Sequence, residues 1–247
     1  MARHKPIVHI VPNADTAVLF IHGIVGTPDH FEKFIPLVPA EWSLYNILLD
    51  GHGASVKDFA KSSMLRWKKQ VNSVVAKLLE KHEKIIIVGH SMGALFAIQT
   101  AIKYPQRIRH LFLLAPPLKI HPRTPAVVTA LKILLNKFPP TDRDTIEAKH
   151  SYGIEQDKNL FKYFTWIPRY AELLREIPNT RSLIHQIRVP CTVYQSRYDE
   201  LVSMSSVDIL KSNPRIRVIV LPKSGHFFIR PCEEGLVLRD FQNICKC

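Results

Sequence analysis

The sequence lacks a long apolar run. The longest apolar stretches of this 247-residue chain, such as residues 111–118, are under ten residues long, whereas a helix that crosses a bilayer needs about twenty. Residues 1–5 are basic, but His9, Pro12 and Asp15 interrupt the apolar segment that a secretory leader requires. We therefore expect neither stable membrane insertion nor a secretory leader.

Cysteine is also rare. The four cysteines stand at positions 191, 232, 245 and 247, which is too few and too uneven for a disulfide framework. We therefore expect a reducing compartment, the cytoplasm. Cys245 and Cys247 could form a metal or redox pair, but no other His or Cys clusters near them, so we favour a frayed terminus.

Acidic residues are scarce relative to basic ones. The chain has 21 Asp and Glu against 34 Lys and Arg, a formal net charge of +13. Such an excess raises nucleic acid, anionic membranes and acidic substrates as partners. However, the basic residues form only short clusters, such as residues 66–69 and 215–217, without a basic arm or a nucleic-acid motif. We predict a solvated basic surface and no nucleic-acid partner.

The sequence does contain a series of short apolar runs rich in β-branched residues. There are seven, and most of them are predicted to be buried strands: residues 7–11, 18–21, 44–49, 85–88, 111–114, 191–194 and 218–221. They are continuous rather than alternating, which is typical of parallel strands covered on both faces. Helical patterns over residues 65–81 and 93–104 stand between them. We therefore predict an α/β fold.

Residues 116–184 interrupt this alternation, with no convincing strand and eight of the 18 prolines. Residues 126–138 are apolar on most of a helix circumference, so that helix must be covered on more than one side. We predict a helical insertion that packs its own small core, forms a cap over an apolar pocket, or does both. The insertion separates two parts of a core domain, residues 1–115 and 185–247.

Only nine glycines occur, so each is expected to mark a backbone requirement. Seven of them fall in four motifs: H-G-I-V-G at 22–26, D-G-H-G at 50–53, G-H-S-M-G at 89–93 and S-G-H at 224–226. The third motif fits G-x-S-x-G and stands between a predicted strand and a predicted helix. This arrangement is typical of a nucleophile elbow, which exposes Ser91 at the carboxyl end of its strand.

A serine nucleophile needs a base and a residue that orients the base. Among twelve histidines we select His226, because it closely follows the predicted strand 218–221. Asp199 lies on the loop after strand 191–194 and is the expected orienting acid, with the adjacent Glu200 as the alternative. The chain order serine, aspartate, histidine is the order that a known class of hydrolases uses.

Acyl transfer also needs donors for a developing oxyanion. The Met92 N–H follows the nucleophile and the Ile24 N–H lies on the loop after strand 18–21, so we predict these two donors. His22, His52 and His90 are expected to brace loops through backbone hydrogen bonds rather than to act as acids or bases. No metal site is expected from them.

Together these motifs resemble the α/β-hydrolase superfamily, and within it the compact bacterial carboxylesterases and monoacylglycerol lipases. The matching elements span nearly the whole chain in order: H-G-I-V-G with Thr27 and Pro28, D-G-H-G-A-S at 50–55, G-H-S-M-G, the Asp199 loop and S-G-H. The resemblance implies an eight-stranded, mostly parallel sheet with a small helical lid inserted after strand 111–114. It assigns the nucleophile, its two partners and the oxyanion amides to Ser91, Asp199, His226, Ile24 and Met92.

We therefore expect a carboxylic ester hydrolase with an acyl-enzyme intermediate and no metal or cofactor, active as a monomer or homodimer. The apolar insertion favours a small-molecule ester with an apolar acyl group, monoacylglycerols and small aliphatic esters being the first candidates. Thioesterase, acyltransferase, perhydrolase and C–C bond hydrolase activities use the same triad and stay open. So do a non-catalytic ligand receptor and a protein that binds partners through its basic surface.

Overall fold

The computed structural model describes residues 4–121 and 123–246. Outside the described residues lie residues 1–3, Pro122 and Cys247. They belong to the basic N-terminal segment, the predicted insertion and the Cys245–Cys247 pair, respectively. The strands are β1 (Ile7–His9), β2 (Thr16–Ile21), β3 (Ser43–Ile47), β4 (Lys84–His90), β5 (Ile108–Leu114), β6 (Cys191–Ser196) and β7 (Ile216–Leu221). Each of the seven apolar runs overlaps one of these strands.

These strands form one sheet in the order β1-β3-β2-β4-β5-β6-β7, in which β1 is antiparallel and the other pairings are parallel. The resemblance implied eight strands, and the described residues contain seven. The difference has a simple origin, because the sequence itself contains only seven apolar runs of this kind. Parallel pairing brings the loops after β2, β4, β6 and β7 to one edge of the sheet.

Helices cover both faces of this sheet. They are α1 (Val56–Lys61), α2 (Met64–Lys81), α3 (Met92–Lys103), α4 (Thr124–Leu135), α5 (Arg143–His150), α6 (Ile167–Arg181), α7 (Ser205–Lys211) and α8 (Pro231–Lys246). Along β4, Ile85 and Ile87 pack in the core that contains α2 and α3, whereas Ile86 and Val88 pack in the core that contains α8. Burial on both faces explains why the strand sequence is apolar without alternation.

Helices α4, α5 and α6 lie between β5 and β6, together with a 3₁₀ segment at Leu160–Trp166. We expected the first of these helices to be covered on more than one side, and this was wrong. Ile133 is buried, but Val128 and Leu135 are 42% and 55% exposed. Within the described ranges, these two side chains leave one face of α4 open to solvent. No helix in the described ranges is both long and apolar enough to cross a membrane.

Candidate active site

Ser91 lies in a sharp turn between β4 and α3. Its φ of 51° is in the left-handed region, which a residue with a side chain rarely adopts. Its backbone N–H donates to the Leu114 carbonyl at 2.9 Å, which ties the turn to β5. Gly93 follows on the first turn of α3, and a methyl group there would overlap the Ile21 carbonyl. Glycine at this position therefore allows α3 to approach β2, as the elbow pattern predicts.

His226 and Asp199 form a buried pair. His226 Nδ1 lies 2.9 Å from Asp199 Oδ2 and 3.0 Å from Oδ1. The same carboxylate accepts the N–H of Val202 at 2.7 Å and that of Leu201 at 2.9 Å, so its position is held from the loop after β6. The structure thus places the ring of the predicted base against the predicted orienting acid.

Each partner shifts the pKa of the other. Burial lowers the pKa of His226, but the negative Asp199 carboxylate outweighs burial, so the pKa lies above the ordinary value for histidine. Burial raises the pKa of Asp199, but the His226 ring and the two backbone N–H donors outweigh it, so the pKa lies below the ordinary value. The pair therefore stabilises an imidazolium ion beside a carboxylate.

Glu200 occupies a different position from its neighbour. Its Oε2 accepts the backbone N–H of His226 at 3.0 Å. Glu200 therefore holds the backbone of the histidine loop, whereas Asp199 contacts the imidazole ring. The geometry favours Asp199 over the alternative acid considered from the sequence.

Ser91 and His226 line the same cavity and are 8% and 5% exposed. Among the described residues, the Ser91 hydroxyl forms no hydrogen bond to the imidazole. Catalytic hydrogen bonds are often long in a free enzyme and shorten only when substrate is bound. The structure therefore brings Asp199 and His226 together and places Ser91 beside them without completing the last contact.

The two predicted oxyanion donors lie on either side of Ser91. Met92 begins α3, and Ile24 lines the cavity on the loop after β2. This loop packs against the serine turn, because a Cβ on Gly23 would lie 2.9 Å from the Ser91 Cβ. Within the described ranges, neither predicted N–H donates to another protein group. Met92 itself is fully buried and does not line the cavity, whereas Ile24 does.

His22 and His52 brace the neighbouring loops. His22 Nδ1 donates to the Gly23 carbonyl at 2.8 Å while its Nε2 accepts the Leu49 N–H at 3.0 Å. His52 Nδ1 lies 3.2 Å from the Leu49 carbonyl. Burial lowers the pKa of His52 to about 4 and places that of His22 well below its usual value. The hydrogen bonds confirm the predicted bracing role of these two neutral side chains.

His90 braces the histidine loop and belongs to a stack that the sequence did not indicate. Its Nε2 donates to the His226 carbonyl at 3.2 Å. The His30 ring stacks on His90 with centroids 3.9 Å apart, and its Nδ1 lies 3.4 Å from the Ser151 hydroxyl. Burial, followed by the charge of His226, lowers the pKa of His30 to about 3. Sequence reasoning missed His30 because it lies in no glycine motif.

The site opens into an apolar cavity of about 450 Å³. Beside the residues named above, its wall is formed by α4, the segment after α5 and the start of α6, with contributions from Ala130, Leu131, Ile133, Leu134, Tyr152, Tyr163, Trp166 and Tyr170. Among the described residues, no Lys or Arg lines this cavity. In the same ranges, no three His, Cys, Asp or Glu side chains converge to hold a metal ion.

The comparison with curated proteins found two kinds of match. The chain is 21% identical over 237 residues to a pimeloyl-[acyl-carrier protein] methyl ester esterase of Nitrosomonas europaea, covering 85% of this chain and 88% of that protein. It is 32% identical over 101 residues to the dihydrolipoyllysine-residue acetyltransferase component of an acetoin cleaving system from Cupriavidus necator. That match covers 40% of this chain, which spans about a quarter, 26%, of the relative's length.

Solved structures share the whole fold. One described with the metagenome-derived lipolytic enzymes LipS and LipT has a TM-score of 0.72 at 19% identity, with 98% of each chain covered. A monoacylglycerol lipase of Paleococcus ferrophilus has a TM-score of 0.68 at 16% identity, again over 98% of each chain.

Residues 12–228 match the Hydrolase_4 family model, described as serine aminopeptidase, S33. Since this match covers most of the chain, the protein belongs to that serine hydrolase family within the α/β-hydrolase superfamily.

Proposed function

We propose that the protein is a carboxylic ester hydrolase in which Ser91, Asp199 and His226 form the catalytic triad. His226 removes the Ser91 proton as the serine oxygen attacks the ester carbonyl, and the Ile24 and Met92 N–H groups stabilise the oxyanion. His226 then protonates the leaving alcohol. Water repeats the sequence and releases the acid. Asp199 keeps Nδ1 as the donor and stabilises the imidazolium ion throughout.

One observation carries this proposal. His226, paired with Asp199 at 2.9 Å, lines the same apolar cavity as a serine held in a left-handed turn. A strained serine whose side chain faces a cavity has no structural role in the fold, whereas a nucleophile requires that conformation.

The cavity supports the substrate class. At about 450 Å³ it lies in the range of small-molecule sites, roughly 300–1,000 Å³. Its apolar wall suits an acyl chain or an aromatic acid better than a peptide, and monoacylglycerols and small aliphatic esters remain our first candidates. We further propose that residues 116–184 act as the lid of this cavity, and that the enzyme functions in the cytoplasm without a cofactor.

Initial rates on p-nitrophenyl esters of increasing acyl length test the proposal, with Ser91→Ala as the control for background hydrolysis. Turnover by the wild type and a loss of several orders of magnitude in the variant are expected. If neither protein hydrolyses any of the esters above background, the proposed ester hydrolysis is contradicted. Thioesters and C–C bond substrates would then be assayed with the same pair of proteins.

A further inference from the structure

Gly153 contacts the loop that carries the predicted oxyanion donor Ile24. It lies after α5, outside the four glycine motifs. Its N–H donates to the Val25 carbonyl at 2.7 Å, and its own carbonyl accepts the Gly53 N–H at 2.6 Å. One residue of the interval between β5 and β6 therefore joins the loop after β2 to the loop after β3.

The contact has room for glycine only. A methyl group on Gly153 would overlap the Gly26 carbonyl and lie 3.2 Å from the Thr27 Cβ. The φ of Gly153 is outside the left-handed region, so the requirement comes from close approach and not from backbone conformation. At Gly235, the second glycine outside the motifs, a Cβ would meet only the Arg239 guanidinium, at an ordinary contact distance of 3.6 Å.

The loop that Gly153 holds is a strained one. Val25 has a φ of 49°, an outlier for a β-branched residue. Such conformations persist only where the surroundings over-determine them. The Val25 carbonyl is fixed by the Gly153 N–H, and the Gly26 N–H donates to the Gly23 carbonyl at 3.1 Å. The Gly23 carbonyl and the Ile24 N–H belong to the same peptide group, so these two bonds hold the turn that contains this N–H.

The attachment continues beyond this one residue. The Glu155 N–H donates to the Ala54 carbonyl at 2.8 Å, and Ser55 and Glu155 form a parallel bridge. The segment after α5 is therefore paired with the loop after β3 over several residues. Gly153 is its point of contact with the Ile24 loop.

From this geometry we propose that Gly153 is a positioning residue for the oxyanion site: it holds Val25 and Gly26 so that the Ile24 N–H is aimed at the developing oxyanion. The inference rests on the proposed serine hydrolase function. It means that the interval between β5 and β6 does more than enclose the acyl group. It also holds one of the two donors that stabilise the transition state.

Gly153→Ala tests the proposal, with Gly235→Ala as the matched control. Displacement of the Ile24 loop should lower kcat by about 10²-fold, because loss of one oxyanion donor has an effect of that order. KM should stay within about threefold, because Gly153 itself does not line the cavity. Gly235→Ala should match the wild type in both parameters, and circular dichroism checks that both variants fold.

A pair of inhibitors separates donor geometry from cavity shape. A trifluoromethyl ketone with an alkyl chain accepts the Ser91 oxygen at its carbonyl carbon. The carbonyl π pair becomes an oxyanion, and the serine proton moves to His226. The matched trifluoromethyl carbinol cannot add. Gly153→Ala should weaken inhibition by the ketone about 30-fold or more and leave that by the carbinol within about threefold.

Equal weakening of both inhibitors, or an unchanged kcat, would overturn the proposal. If Gly153→Ala does not fold, hydrogen exchange in the wild type decides. The Gly153 amide should exchange more slowly in the ketone adduct than in the carbinol complex, because an ordered loop stabilises the bond to Val25. Equal exchange rates of the Gly153 amide in the ketone adduct and in the carbinol complex would overturn the proposal. Failure of the proposed function looks different: the wild type would show no turnover and would not bind the ketone.

Discussion

Two regions of the molecule face the same cavity and are built in opposite ways. On the strand-end loops, Ser91, Asp199 and His226 are buried, and backbone hydrogen bonds tie these loops to neighbouring segments. The helices between β5 and β6 carry nine of the fifteen large apolar side chains that are exposed in the described ranges. The loops thus have little freedom to change, whereas the helical wall is open on its outer side.

The difference separates chemistry from selectivity. The proposed attack on an ester carbonyl needs the same few groups whatever the acyl chain, and those groups lie where strands end. The acyl chain would meet α4 and the start of α6, where Leu131 and Tyr170 line the cavity while remaining 48% and 40% exposed. Gly153 is the exception to this separation, since it belongs to the helical interval but contacts the Ile24 loop.

The largest expected effect lies in the loops. Asp199→Asn should lower kcat by about 10⁴-fold, because His226 loses the carboxylate that orients Nδ1 and stabilises the imidazolium ion. Steady-state kinetics on a p-nitrophenyl ester measures this loss. The exposed Asp208 on α7 is the matched control, and Asp208→Asn should leave kcat unchanged. A loss below tenfold in Asp199→Asn would remove Asp199 from the proposed triad.

The second largest difference is expected in the free energy of unfolding, which should depend on side chains buried in the sheet and little on those exposed on the helical wall. Phe112 is fully buried on β5 and Phe161 is 79% exposed in the 3₁₀ segment. Phe112→Ala should lower the free energy of unfolding by about 3–5 kcal/mol, whereas Phe161→Ala should change it by less than about 0.5 kcal/mol. Urea denaturation measures both values. A large loss in Phe161→Ala would show that the exposed wall is covered in solution.

Selectivity should respond to the wall and not to its outer face. Leu134 lines the cavity, so Leu134→Trp should fill part of it. We expect kcat/KM for a decanoate ester to fall about tenfold, which is the effect of excluding roughly one or two methylene groups of the acyl chain from the cavity. The acetate ester should react within about twofold of the wild-type rate. Leu174→Trp, at a 51% exposed position on α6, is the control. Equal loss on both esters would place Leu134 outside the acyl site.

The smallest effect is a shift in the pH profile. The proposed base must be neutral to accept the serine proton, so kcat/KM should fall as the pH drops through the pKa of His226. Since Asp199 holds this pKa above the ordinary value for histidine, half-maximal activity should lie above about pH 6.5. The residual activity of Asp199→Asn should persist to lower pH, because burial without the carboxylate lowers that pKa. An unshifted midpoint in the variant would contradict this.

Local sequence patterns determined the framework of the protein. Continuous β-branched runs are buried on both faces wherever they pair, so seven strands could be recognised without knowledge of their neighbours. Glycine motifs beside strand ends indicated the loops, because a sharp turn limits which residues fit. Parallel pairing then brings such loops to one edge, and this explains why Asp199 and His226, selected by position alone, lie within 2.9 Å of each other.

Only the tertiary structure decided the features that depend on what distant segments meet. The uncovered face of α4 and the stacking of His30 on His90 have no signature within a few residues of the chain. Gly153 shows the reason most directly. Because glycine is rare in this sequence, a backbone requirement was expected at Gly153. The requirement for glycine there arises from the close approach of Gly26, more than a hundred residues earlier in the chain. A contact of that kind is set by how the segments pack, and no local pattern encodes it.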